Sequence, residues 1–170
     1  MKKAVLFLIF NRIDTVQRVF AEIQKAKPPR FYLASDEGRN EEEKKKVKKI
    51  RDYVLNNINW DCEVKTLFRD KNLGCRRSVS GAISWFFKNE KDGIILEDDC
   101  LPSQSFFNFC EELLDYYKDN KSVWHISGNQ FFPILIMEQV IILLKFSIVG
   151  VGQVGHINGL LELWKRKVFV

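Results

Sequence analysis

The chain is poor in the residues that build metal fingers, disulfide scaffolds and glycine-rich cofactor loops. Its four cysteines, Cys62, Cys75, Cys100 and Cys110, show no CxxC or finger-type spacing, which argues against zinc modules and a disulfide-built secreted domain. Free thiols fit a reducing, cytoplasmic compartment. No GxGxxG follows the first apolar run, and neither GxxxxGK[ST] nor GxSxG occurs, so dinucleotide, Walker-type and α/β-hydrolase readings lose their motif. The two histidines, His125 and His156, are far apart; His125 falls in a predicted buried strand and reads as a core histidine. No apolar run reaches the roughly 20 residues that a spanning helix needs. Ala4 to Phe10 follows two lysines as a signal peptide would, but Arg12 and Asp14 stand where small cleavage-site residues belong. That run reads as a first buried strand.

What is present is enough for one domain with a real core, or for part of a larger one: 170 residues, 46% of them hydrophobic. The net charge of +5 raises the question of a nucleic-acid partner. The densest basic run, Lys44 to Lys49, directly follows Glu41-Glu42-Glu43, and Val47, Ile50 and Val54 add an apolar stripe. Glu41 with Lys45 and Glu42 with Lys46 are spaced as helical ion pairs, so the segment reads as a solvated amphipathic helix and no nucleic-acid partner is expected.

Five β-prone runs, Ala4–Phe10, Phe31–Ser35, Cys62–Phe68, Gly93–Leu96 and Ser122–Ser127, alternate with helical patterns. Such alternation predicts an α/β domain with a mostly parallel sheet and flanking helices. Val16, Val19, Phe20 and Ile23 mark the first helix, which Pro28-Pro29 stops; Asn40 caps the second. Val79, Ala82, Ile83 and Phe86 mark a third. Phe106, Phe109, Cys110, Leu113, Leu114 and Tyr117 mark a fourth, capped by Ser103 or Ser105. This order places Asn11-Arg12, Asp36, Arg69-Asp70 and Glu97-Asp98-Asp99 at the carboxyl ends of successive strands, the edge where open α/β sheets bind ligands. From residue 134 the pattern changes: about half of residues 134–170 are Ile, Leu or Val, and no strand or helix period persists. The chain therefore divides into 1–133, an organised domain, and 134–170, an apolar tail without assigned structure and with a possible peripheral affinity for membranes.

The chemistry gathers at Gly93-Ile94-Ile95-Leu96-Glu97-Asp98-Asp99. Three consecutive acids after a buried run need a cation or hydrogen-bond donors, and hard oxygens suit Mg²⁺ or Mn²⁺ held by one or two carboxylates plus phosphate oxygens. A hydrated acidic turn is the other reading. Asp36 is placed either to accept from a ribose or base or to form an Asx-turn into Glu37-Gly38. Arg69 and Arg76-Arg77, around Asn72-Leu73-Gly74, supply cations and backbone donors for a diphosphate, or are surface arginines beside a turn.

Taken together, Phe10-Asn11-Arg12, Ser35-Asp36, Phe68-Arg69-Asp70-Lys71-Asn72-Leu73-Gly74 and Ile94-Ile95-Leu96-Glu97-Asp98-Asp99-Cys100-Leu101-Pro102 resemble the nucleotide-diphospho-sugar glycosyltransferases of GT-A fold, in particular bacterial family-two-like proteins labelled hemolytic-protein-like. The resemblance covers about residues 4 to 133. It implies a GT-A-like, Rossmann-like sheet whose C-terminal half is incomplete, a nucleotide-sugar donor, and an unknown glycan, lipid or protein acceptor. It implies Asp99 as ligand of Mn²⁺ or Mg²⁺, with Glu97 and Asp98 facing the ribose, the base or the ion's water shell. Asp36 would hold the base, Asn11 and Arg12 would line the donor pocket, and Arg69, Asn72 and Gly74 would lie near diphosphate and sugar. No residue matches the family's acceptor base.

The family continues into a Trp- and Gly-rich acceptor segment, where this chain has Ile148-Val149-Gly150-Val151-Gly152-Gln153-Val154-Gly155. One coding of that stretch reads Cys-Trp-Gly-Trp-Ala-Ser-Trp in a neighbouring frame, so the tail reads either as the product of a single-base frameshift near codon 134 or as a genuine divergent C-terminus that binds a partner or a membrane surface. Two other classes stay open: a non-catalytic binding or scaffold protein, and a metal-dependent nucleotidyltransferase, although the latter's Gly-rich opening loop is missing.

Overall fold

Side chains alternate across a strand, and the first strand, β1 (Val5–Ile9), is buried at every position, so it must be covered on both faces. Val5, Phe7 and Ile9 enter one core and Ala4, Leu6 and Leu8 the other. The computed structural model describes residues 1–120, 123, 125–127 and 148–151. Its elements run β1, α1 (Ile13–Ala26), β2 (Arg30–Ser35), α2 (Glu41–Asn56), β3 (Glu63–Phe68), α3 (Cys75–Asn89), β4 (Asp92–Glu97), α4 (Gln104–Tyr117), β5 (His125–Ser127) and β6 (Ile148–Val151). The sheet order is β3-β2-β1-β4-β6-β5. Strands β1 to β4 are mutually parallel and β6 runs antiparallel to both β4 and β5. The chain is thus an α/β, Rossmann-like domain with a mostly parallel sheet, as its alternating pattern predicts.

Two strands differ from the sequence reading. The fifth is His125–Ser127, shorter than the expected Ser122–Ser127, whose Ser122 lies outside the described residues. Ile148–Val151, in the tail to which no structure was assigned, pairs Ile148 with Ile95 and Val151 with Asp92 on one side, and Ile148 with Ser127 on the other. Such a pairing joins segments distant in sequence, so local periodicity cannot announce it. His156 lies outside the described residues.

Helices α1, α2 and α4 cover the first face: Val16, Phe20 and Ile23, then Ile50 and Val54, then Phe107, Cys110 and Leu114 share a core with Phe7 and Leu33. Helix α3 covers the second with Ala82, Ile83, Phe86 and Phe87 against Leu6, Tyr32 and Ile95. On α4 the buried stripe is rotated from the expected one, because Phe107 is buried while Phe109 is exposed. Among the described residues, no helix is long and apolar enough to cross a membrane.

The helix ends follow local chemistry. The Asn40 side chain accepts the Glu43 N–H at 2.9 Å, and the Ser103 hydroxyl, not that of Ser105, accepts the Phe106 N–H. Helix α1 ends at Lys27, in the left-handed region (φ 50°), just before Pro28. Lys44 pairs with Glu41, Lys46 with Glu42 and Lys48 with Asp52; Glu41 takes Lys44 in place of the expected Lys45. Asn40→Ala is expected to cost about 1 kcal/mol, read as a lower urea midpoint at unchanged slope.

The edge away from the strands' carboxyl ends is pinned by ion pairs. Glu90 accepts from Arg30 at 2.7 Å and from the Tyr32 hydroxyl at 2.8 Å. Lys3 bridges Asp92 and Asp115. The opposite edge is left to four β–α loops.

Candidate functional site

The loops after β1, β2, β3 and β4 enclose a cleft of about 300 Å³ at the carboxyl edge of the sheet. Its floor is apolar, formed by Leu8, Ile9, Ala34 and Ala82, and its polar wall carries Arg12, Asp36, Arg39, Asn72, Glu97 and Asp98. Gly74, Cys75 and Ser78 bring the start of α3 to the same cleft. Gly74 sits at φ 77°, a conformation that favours glycine, and the helix has neither a side-chain cap nor an acid in its first turn. The positive end of the α3 dipole is therefore not offset by a carboxylate of its own first turn.

Glu97 and Asp98, at the end of β4, line the same cleft, and Glu97 with Asp36 lies near enough to Cys75, the first residue of α3, to add to the burial that pushes its thiol up. Asp98 is only 4% exposed; its Oδ1 accepts from Arg12 while its Oδ2 is buried with no partner. The same Arg12 nitrogen stands 3.2 Å from Asp99 Oδ2. Burial, opposed by the Arg12 hydrogen bond and charge and by the Phe10 backbone N–H, holds the Asp98 carboxyl above its ordinary range. Burial first, then repulsion from Asp99 and Asp98, pushes the Glu97 carboxyl up to about 7, with Arg12 pulling the other way. The Asp99 side chain is half exposed at the rim. Cys100 is pushed up to about 12 by burial and by the neighbouring Asp99 and Glu97, which keeps it a thiol and no nucleophile.

Asp36 ties two loops together. Its carboxylate accepts the Leu73 N–H at 3.0 and 3.1 Å and the Glu37 N–H at 3.0 Å. Asn72 donates to the Glu37 carbonyl at 2.6 Å and accepts the Gly74 N–H at 3.1 Å, fixing the turn into α3. Behind them lies Arg51, on α2. Its guanidinium donates to Ser35 Oγ at 3.2 Å, to the Asp36 carbonyl at 3.0 Å, to the Arg69 carbonyl at 3.3 Å and to Glu37 at 3.3 Å. It also lies 4.7 Å from the centre of the Phe68 ring.

Of the residues singled out in the sequence, Arg12, Asp36, Asn72, Gly74, Glu97 and Asp98 line the cleft. Asp99 stands at its edge, joined to it by Arg12. Arg76 and Arg77 are exposed on α3 and absent from the cleft lining, and Asn11 and Arg69 are turned elsewhere. Asn11 donates to Glu43 of α2, and the Arg69 guanidinium occupies the space that a side chain at Gly81 would fill. Sequence reasoning missed Arg39 and Arg51. Arg39 grips Glu43 at 2.9 Å while lining the cleft. Arg51 had a readable signal, since it lies four residues after Val47 and three before Val54, inside the stripe that the helix buries.

Among the described residues, no group of three or more His, Cys, Asp or Glu forms a metal cage. The donor set fits a different arrangement. Mg²⁺ and Mn²⁺ are commonly held by one or two carboxylates with phosphate oxygens completing the shell, and the unpartnered Asp98 Oδ2 beside the accessible Asp99 supplies hard oxygens of that kind.

No family model matches the chain, and no curated protein matches it. Among solved structures it is similar to the mannosyltransferase PcManGT from Pyrobaculum calidifontis in complex with GDP-Man and Mn²⁺, with a TM-score of 0.50 and 11% sequence identity. The likeness covers 75% of this chain and 35% of that one, so the chain spans about a third of the structure it matches. At that identity the shared property is the α/β fold.

Proposed function

We propose that the chain is the donor-binding part of a GT-A-type glycosyltransferase that takes a nucleotide-diphosphate sugar with a divalent ion, Mn²⁺ or Mg²⁺. The observation that carries this reading is the pairing, across one cleft, of an α3 N-terminus free of first-turn acids with buried strand-end acids, one of which keeps an oxygen without a partner. Anionic phosphates suit the helix end and a cation suits the acids. A ligand carrying both is a metal-bound diphosphate. The mannosyltransferase likeness, a protein solved with GDP-Man and Mn²⁺, agrees with it.

In this reading Asp99 holds the ion and Asp98 accepts from its shell, while Asp36 holds the Leu73 loop and keeps lone pairs for a base or ribose. Asn72 and Gly74 shape the phosphate side. Arg69 acts through its carbonyl, which Arg51 grips, more than through its guanidinium. The ion, when bound, stabilises negative charge on the departing nucleoside diphosphate. Arginines at the cleft share that task. Donor binding is the part of the reaction that this cleft accounts for, and resequencing the gene through codon 134 tests the frameshift. A neighbouring frame that encodes no Trp- and Gly-rich segment would refute it.

Asp99→Asn is expected to weaken Mn²⁺-dependent binding of GDP or UDP by about tenfold or more, while leaving metal-free binding unchanged. Fluorescence titration with a labelled nucleotide measures both. Equal Mn²⁺ dependence in the variant would remove Asp99 as the ligand.

A further inference from the structure

The acids after β4 already have a cation in the protein itself. The Arg12 guanidinium, from the loop after the adjacent strand β1, donates through one nitrogen to Asp98 Oδ1 and stands 3.2 Å from Asp99 Oδ2. This pairing leaves the site incompletely satisfied. The Asp98 side chain is only 6% exposed and lines the cleft; the Phe10 N–H lies against its carboxyl, yet Oδ2 makes no hydrogen bond of ordinary geometry. One guanidinium nitrogen shared between two carboxylates cannot also serve that oxygen, whereas a divalent ion carries twice the charge and accepts several oxygens at once. The Arg12 side chain is half exposed, so its departure gives up little burial.

We propose that Arg12 is a resident counter-ion that competes with a divalent cation for Asp98 and Asp99, so that the metal enters only as the guanidinium leaves. This rests on the strand-end acids being the donor-metal site. Arg12 then sets the metal affinity: it keeps buried Asp98 compensated while the site awaits its ligand, and it weakens binding of the bare ion. Once released, its charge remains beside the cleft it lines.

The test titrates Mn²⁺ alone, with no nucleotide, into the full chain and follows free Mn²⁺ by electron paramagnetic resonance. Arg12→Gln is expected to bind Mn²⁺ about tenfold more tightly than the native protein, and Arg12→Lys, which keeps a charge but not the planar fork, to fall between them. Adding Asp98→Asn and Asp99→Asn to Arg12→Gln should abolish the gain. Thermal melts separate this role from a structural one. In chelator Arg12→Gln should melt below the native protein, because buried Asp98 has lost its partner, and saturating Mn²⁺ should close that gap. A gap that Mn²⁺ leaves unchanged, or Mn²⁺ binding by Arg12→Gln that is equal to or weaker than native, overturns the competition while leaving the donor-metal reading intact. Absence of Mn²⁺ binding in both native protein and Arg12→Gln also overturns the competition, while the donor-metal reading, in which phosphate oxygens complete the shell, is decided by nucleotide titration with and without Mn²⁺.

Discussion

Arg51→Ala should lower the unfolding free energy by about 3 to 4 kcal/mol, although Arg51 does not itself line the cleft. The side chain is 13% exposed and joins five groups at the ends of β2 and β3: the Ser35 hydroxyl and carbonyl, the Asp36 and Arg69 carbonyls, and the Glu37 carboxylate. Removing it leaves a largely buried Glu37 without its cation and strips a charged donor from carbonyls at the ends of β2 and β3. Arg51→Lys should recover less than half of the loss, since one ammonium cannot span the fork or lie flat on Phe68. Urea denaturation reads both variants. Because the loops that follow those strands carry Asp36 and Asn72, nucleotide affinity should fall along with stability. A change under 1 kcal/mol in Arg51→Ala would show that the loops hold their shape without it.

The second large effect is a dependence of stability on pH. In the folded chain the Glu97 carboxyl is pushed up to about 7, chiefly by burial, whereas in the unfolded chain it titrates near its ordinary 4.5. Between those values the native state keeps a proton that the unfolded chain has released, so stability falls as pH rises from about 4.5 to 7 and is level above. The gap between the two values corresponds to about 3 kcal/mol. Asp98, also raised by burial, contributes in the same direction. Measured by urea denaturation in chelator, the native protein should be less stable at pH 7.5 than at pH 5, and Glu97→Gln should reduce the difference to what Asp98 alone supplies. An identical slope in the variant would remove Glu97 as its source.

The parts of the fold that were legible are those buried on both sides. Residues 4–10, 31–35 and 93–96 read as strands because Val, Ile, Leu and Phe fill consecutive positions, and the strands occupy those places within a residue or two. Residues 62–68 lie at the sheet edge with a largely exposed pattern, yet Val64, Thr66 and Phe68 carried enough β-propensity to be found. The stripe of α4 was misjudged at Phe109 because seven aromatic or aliphatic residues crowd its two faces, and packing alone decides which turn inward. Strand β6 was invisible for another reason, being defined by partners more than 50 residues away along β4.

The site was legible as a set of strand ends and not as a set of side-chain directions. Topology alone brings Arg12, Asp36 and Glu97-Asp98 to one edge, since parallel strands β2, β1 and β4 are neighbours. Whether each side chain then enters the cleft depends on competing partners. Asn11 found Glu43, Arg69 found the space beside Gly81, and Arg12 found both Asp98 and Asp99. Such choices rest on distances of an ångström between loops, which no spacing in the sequence encodes.

Calorimetric titration of GDP and of UDP into the chain, in Mn²⁺ and again in chelator, tests the donor-site reading most directly. Saturable binding of at least one nucleoside diphosphate that weakens tenfold or more on chelation is the expected result. Binding indifferent to the metal, or absence of binding under both conditions, would contradict a cleft built to hold a metal-bound diphosphate between α3 and the acids of β4.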